Sequence, residues 1–144
     1  MLALGCDHGG YPLMKEVIDY LEKNGIEYKN FGTYSDASVD YPEYGKAVAN
    51  AVAAGECEKG ILICGTGIGI SMAANKVKGI RAACCSDYFS AKFTRLHNDA
   101  NALCLGGRVV GAGLALEMGD VFLDTEFEGG RHQRRVDLVN SFDK

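Results

Sequence analysis

A doubly wound α/β fold is predicted by this sequence: a single-domain, three-layer α/β/α sandwich on a five-stranded, parallel, Rossmann-like sheet. Three observations predict it. Short apolar runs alternate with amphipathic helical stretches along the whole chain, the pattern of successive βα units. Most of those runs are apolar at every position rather than at every second one, as strands covered on both faces require. The 144 residues, 47% of them apolar, suffice for one domain with a substantial core, so residues 1–144 are expected to form a single unit.

Each element has its own signal. Met1 to Cys6 is an apolar run closed by Asp7-His8-Gly9-Gly10, a strand entering a loop. Pro12 suits the first turn of a helix; Leu13, Val17, Ile18 and Leu21 share its inner face, and Asn24-Gly25 stops it. Ile26 to Phe31 reads as a second strand, followed by a polar loop from Gly32 to Asp40. Pro42 opens a second helix that turns Tyr44, Val48, Ala51 and Val52 to the core and stops at Gly55. Gly60 to Cys64 is the third strand, and the loop Gly65-Thr66-Gly67-Ile68-Gly69 leads into a helix carrying Ala73 and Ala74. The fourth strand is Ile80 to Cys85, after which Ser86 or Asp87 caps a helix reaching about His97. Ala102 to Leu105 is the fifth, followed by Gly106-Gly107-Arg108. Two further helices, Gly111 to about Leu123 and about Arg131 to Phe142, are separated by Gly129-Gly130.

In parallel sheets of this kind ligands gather beyond the carboxyl ends of the strands. That rule places Asp7-His8, the Cys64 loop, Ser86-Asp87 and Arg108 on one rim.

Composition narrows the function. A net charge of −4 and a pI near 5.3 argue against a nucleic-acid partner, which needs a basic face. No run approaches the roughly 20 apolar residues of a membrane span, and Met1-Leu2-Ala3-Leu4-Gly5 lacks the charged start of a secretion signal, so a cytoplasmic protein without a membrane partner is expected. The six cysteines include no Cys-x-x-Cys and sit mostly in apolar runs, which suggests reduced thiols.

The loop after the third strand carries the most chemistry. Three glycines alternating in five residues let the main chain approach a ligand and offer bare N–H groups to an oxyanion or phosphate. The spacing is neither that of a dinucleotide-binding turn nor that of a Walker loop; a tight turn with no ligand is the plain reading. Cys64, at the lip of this loop, reads either as an inert buried thiol or as a thiolate favoured by the helix N-terminus. His97-Asn98-Asp99 reads as a capping cluster at a helix end, and His8 as an imidazole held by Asp7. Arg131 and Arg135 share one helical face and suit a phosphate, with Arg108 as a third donor; a solvated basic patch is the alternative. No His-x-His or His-x-x-x-His pair occurs, so no dedicated metal site is expected.

Taken together, Cys6-Asp7-His8-Gly9-Gly10, Asp40-Tyr41-Pro42, Cys64-Gly65-Thr66-Gly67-Ile68-Gly69, Ala73-Ala74-Asn75-Lys76, His97-Asn98-Asp99-Ala100-Asn101 and Gly129-Gly130-Arg131-His132-Gln133-Arg134-Arg135-Val136 resemble the ribose-5-phosphate isomerase B family. The matches run in order through nearly the whole chain. The resemblance implies one sugar-phosphate isomerase domain over 1–144, interconverting ribose 5-phosphate and ribulose 5-phosphate in the pentose phosphate pathway without metal or cofactor. It implies a homodimer or homotetramer with active sites at the subunit interface. One branch of the family places a glutamate base where this chain has Ile70, so Cys64 matches the branch in which a thiolate is the base. By the same resemblance His97 assists furanose opening with Asp7 nearby, and Thr66 relays protons between substrate oxygens. Tyr41 and Asn98 line the sugar pocket, Gly65, Gly67, Ile68 and Gly69 form the cradle, and His8, Arg108, Arg131 and Arg135 grip the phosphate, some of them from a partner subunit. Galactose-6-phosphate and allose-6-phosphate isomerases share this framework, so a six-carbon sugar phosphate is the alternative substrate, and a non-catalytic sugar-phosphate binder the alternative of another class.

Overall fold

The computed structural model describes residues 1–144. Five strands, β1 (Leu2–Cys6), β2 (Tyr28–Asn30), β3 (Lys59–Cys64), β4 (Ala82–Cys84) and β5 (Ala102–Gly106), form one sheet in the order β2-β1-β3-β5-β4. Every pairing is parallel, as the continuously apolar runs of β1, β3 and β5 lead one to expect. Six helices alternate with them: α1 (Tyr11–Lys23), α2 (Tyr41–Ala53), α3 (Ile68–Ala74), α4 (Tyr88–Asn98), α5 (Ala112–Asp124) and α6 (Arg131–Asn140). The result is the expected doubly wound sandwich.

Successive side chains of a strand point to opposite faces, and each face of this sheet has its own core. Leu2, Leu4 and Cys6 of β1 join Ile61, Ile63, Leu103 and Leu105 beneath α1 and α5, with Met14, Met118 and Phe122 fully buried among them. Ala3, Leu62, Cys64 and Cys104 face the other way, against Val48 and Ala49 of α2 and Ile70 and Ala74 of α3. Leu13, Val17 and Leu21 are buried on α1 as the helical spacing predicts.

Two strands are shorter than the sequence suggests. Both are sheet edges, paired on one side only. In place of the expected Ile26 to Phe31, β2 keeps Tyr28–Asn30, and in place of Ile80 to Cys85, β4 keeps Ala82–Cys84. The N–H of Arg81 donates to Oδ1 of Asn101 and that of Ala82 to Oδ1 of Asn75, so side chains replace a ladder at the start of β4. Of the two candidate caps of α4, Asp87 serves: its carboxylate accepts from the N–H of Ser90 at 2.7 Å, which holds the carboxyl below the usual range. No helix is long and apolar enough to cross a membrane.

Candidate active site

The carboxyl ends of the three central strands converge on the glycine loop. β3 ends at Cys64, and β5 continues into Gly107 and Arg108, whose N–H groups donate to the carbonyls of Cys64 (2.8 Å) and Gly65 (3.0 Å). The Asp7 to Gly10 turn after β1 packs onto the same end: a Cβ on Gly10 would lie 2.2 Å from the Ile63 carbonyl. Gly67 has φ of +80°, and a Cβ there would stand 2.8 Å from the carbonyl carbon of Leu105. Only glycine fits both the turn and the space. Gly67→Ala is therefore expected to lower stability by about 2 kcal/mol or more, read as a fall in the denaturation midpoint.

Within this frame the Cys64 thiol is 5% exposed and belongs to the α2 and α3 core, yet its Sγ accepts the N–H of Gly67 at 3.1 Å. The other two thiols with a partner, Cys6 and Cys84, donate instead to the carbonyls of Thr33 and Thr66. Burial pushes Cys6 up to about 12 and Cys85 up to about 11, and keeps Cys104 well above the usual thiol range, so these remain protonated. The N–H groups of Gly65, Thr66, Gly69 and Ile70 donate to no acceptor of the chain. They are the bare amides the loop sequence suggests.

Around the loop stand several expected site residues. Buried Asp7 accepts the N–H of Gly10 at 3.0 Å. His8 is not held by Asp7: its Nδ1 accepts the N–H of Val39 at 3.2 Å, which leaves Nε2 as the donor. Exposed Thr66 accepts from Ile68, and the Tyr41 ring covers Gly69, where a Cβ would lie 2.6 Å from it. The Arg108 guanidinium approaches Gly65, 3.3 Å from where a Cβ would sit. Ser86 and Asp87 lie past the end of β4, with Asp87 committed to capping.

His97, Asn98, Arg131 and Arg135 are not brought to this rim. α4 ends where β5 begins, so His97 and Asn98 lie at the amino end of the sheet. A strand of this length separates them from Cys64 by on the order of 15 Å. α6 packs on α4 and carries Arg131 and Arg135, both exposed, to the same end. There a cleft of about 620 Å³ is lined by His97, Asn98, Arg135, Arg81, Asn75 and Phe142 among others. Asp99 is structural: it accepts from Arg95 at 2.8 Å and from Arg81 at 3.5 Å.

This end also holds residues to which sequence reasoning gave no role. His132 is buried and stacks on His97, with centroids 4.1 Å apart and planes 14° apart. Burial, then the neighbouring His97, pushes its imidazole below the ordinary range, and Arg131 and Arg135 act in the same direction against Glu128. Nothing in the local spacing pairs His97 with His132, since the contact depends on how α6 docks.

The expected site residues thus fall into two groups at opposite ends of the sheet. One has the thiol, the bare amides, Asp7, His8 and Arg108; the other has His97 and the remaining arginines.

Comparison with known proteins follows the same lines. Residues 2–139 match the model of the family described as Ribose/Galactose Isomerase. The chain is 50% identical to ribose-5-phosphate isomerase B of Escherichia coli (strain K12) over 143 residues, covering 99% of this chain and 96% of that protein. Ribose-5-phosphate isomerase B of Clostridium thermocellum superposes with a TM-score of 0.95 at 55% identity, over 97% of this chain and 95% of the other. The Mycoplasma genitalium enzyme with bound ribulose-5-phosphate superposes with a TM-score of 0.93 at 40% identity, over 98% and 94% of the two chains.

Proposed function

This chain belongs to the ribose/galactose isomerase family, and from that premise we propose that it interconverts ribose 5-phosphate and ribulose 5-phosphate with Cys64 as the base. It is an aldose-ketose isomerase. The observation that carries the choice of base is the position of Sγ, which ends β3 at the lip of the glycine loop, accepts the Gly67 N–H and stands beside the unpaired amides of that loop. Ile70, fully buried, offers no carboxylate in its place.

The reaction removes a proton from the carbon next to a carbonyl and returns it to the neighbouring carbon. Cys64 carries that proton. The enediolate formed between the two steps is anionic, and the unpaired N–H groups of Gly65, Thr66, Gly69 and Ile70 meet it without reorganising, as an oxyanion hole does. The Thr66 hydroxyl, exposed at the loop, passes a proton between the two substrate oxygens. Asp7 holds the sugar hydroxyls, and His8, through Nε2, and Arg108 bind the phosphate.

His97, for furanose opening, and Asn98, Arg131 and Arg135 reach the substrate from a second copy of the chain. The separation of the two groups supports this division: a homodimer or homotetramer brings the amino end of one sheet against the carboxyl rim of another. Exposed Ile68, Met72, Val109, Val139 and Phe142, at both ends, are apolar surface that such an assembly would cover.

The chemistry needs no metal or cofactor, because a thiolate and fixed amides supply the base and the charge stabilisation. Protein treated with a chelator and exchanged into chelator-free buffer is expected to keep its turnover unchanged in a coupled assay. The same assay against ribose 5-phosphate, allose 6-phosphate and galactose 6-phosphate tests the sugar. Faster turnover of a six-carbon sugar would move the assignment to that substrate, and binding without product would leave only a sugar-phosphate binder.

A further inference from the structure

The Nε2 of His132 is the one buried side-chain nitrogen or oxygen in the chain with no hydrogen-bond partner, in a residue 7% exposed. Buried polar atoms are nearly always satisfied, so an orphan of this kind points to something that occupies it. Glu128 Oε1 lies 3.8 Å from that nitrogen, and donor atoms of His97, Glu128 and His132 all fall within 4.8 Å of one another. We propose that these three residues form a binding site for a divalent transition-metal ion such as Zn²⁺ or Ni²⁺, and that occupancy inhibits the enzyme.

The group is assembled by the fold. The N–H of Glu128 donates to the carbonyl of Leu96, which fastens the segment before α6 to α4, and the N–H of His132 donates to the carbonyl of Gly129. Two imidazoles and one carboxylate suit ions in the Zn²⁺ and Ni²⁺ class and leave a coordination position open for water. Arg131 and Arg135 face the group from α6 and oppose a cation; both are exposed, where water and salt screen them.

Bond lengths of about 2.0–2.1 Å bring tetrahedral ligand atoms to about 3.3 Å from one another. The donors must therefore close up. The stacked rings cannot both point at one ion in their own planes, so His97, half-buried and held by stacking rather than by a hydrogen bond, turns and breaks the stack. Binding occupies the His97 nitrogen without redox change, and a proton leaves only where that imidazole was protonated. The inhibition rests on the isomerase reading, in which His97 opens the furanose; the binding does not.

Titration calorimetry of the full-length, chelator-treated protein with Ni²⁺ alone is expected to show one ion per chain. Affinity should fall by at least about tenfold in both Glu128→Gln and His132→Asn. The first of these lies at an exposed position, so its effect cannot be a folding defect. Proton NMR should show two histidines, other than His8, shifting together. Binding should persist when the exposed thiol of Cys84 is alkylated, and Ni²⁺ should inhibit ribose 5-phosphate turnover reversibly in wild type and more weakly in Glu128→Gln. Absence of binding, affinity unchanged in both variants, or loss of binding on alkylation would each overturn the site. Binding that meets these tests in a protein with no isomerase activity would uphold the site and sink only the reading of function.

Discussion

Cys64→Ala is expected to reduce isomerisation by about three orders of magnitude, the scale of a lost general base, while the protein folds as before. The substitution removes a sulfur that is 5% exposed and one hydrogen bond from Gly67, which costs about 1 kcal/mol of stability. The strand register, the Gly67 turn and the bonds from Gly107 and Arg108 to the loop involve main chain and survive it. Cys104→Ala provides the internal comparison: that thiol lies on the same face of the sheet but in the middle of β5, fully buried and away from the glycine loop, where burial keeps it protonated, and its loss should leave turnover near wild type. A coupled assay and a denaturant titration of both variants decide the matter. Turnover in Cys64→Ala within a few-fold of wild type would remove this thiol from the chemistry.

The second large effect comes from mixing. Arg131→Ala/Arg135→Ala is expected to raise KM by about tenfold to a hundredfold per lost charged hydrogen bond, so that at low substrate it is nearly as inactive as Cys64→Ala. A twofold-symmetric pair formed from one chain of each kind holds one site with both defects and one site with none. Equal amounts of the two variants, unfolded and refolded together, should therefore recover up to about a quarter of wild-type turnover. Each variant refolded alone should recover almost nothing. If the arginines served the thiol of their own chain, mixing would add no activity at all.

Much of the architecture was legible because it rests on local pattern. β1, β3 and β5 lie in the middle of the sheet, buried on both faces, and their continuous apolar runs mark them nearly to the residue. β2 and β4 are edges, and where a one-sided strand ends depends on side chains such as Asn75 and Asn101 that come from other elements. The site divides in the same way. Cys64 and its loop are contiguous, so turn chemistry exposes them. His8 was misread because its partner, the N–H of Val39, belongs to a loop whose path follows from tertiary packing. The grouping of His97, Glu128 and His132 depends on α6 lying against α4, a long-range packing choice that no periodicity records.

Ile70 lies wholly inside the core between α2 and α3, its carbonyl 3.0 Å and its side chain 3.2 Å from where a Cβ on Gly45 would be. A carboxylate placed there alone would be stranded in an apolar wall, at a cost of several kcal/mol. Installing a glutamate at that position would therefore take more than a single codon. Neighbouring side chains would have to change first, so a lineage that has filled this space with isoleucine is historically confined to a base placed elsewhere.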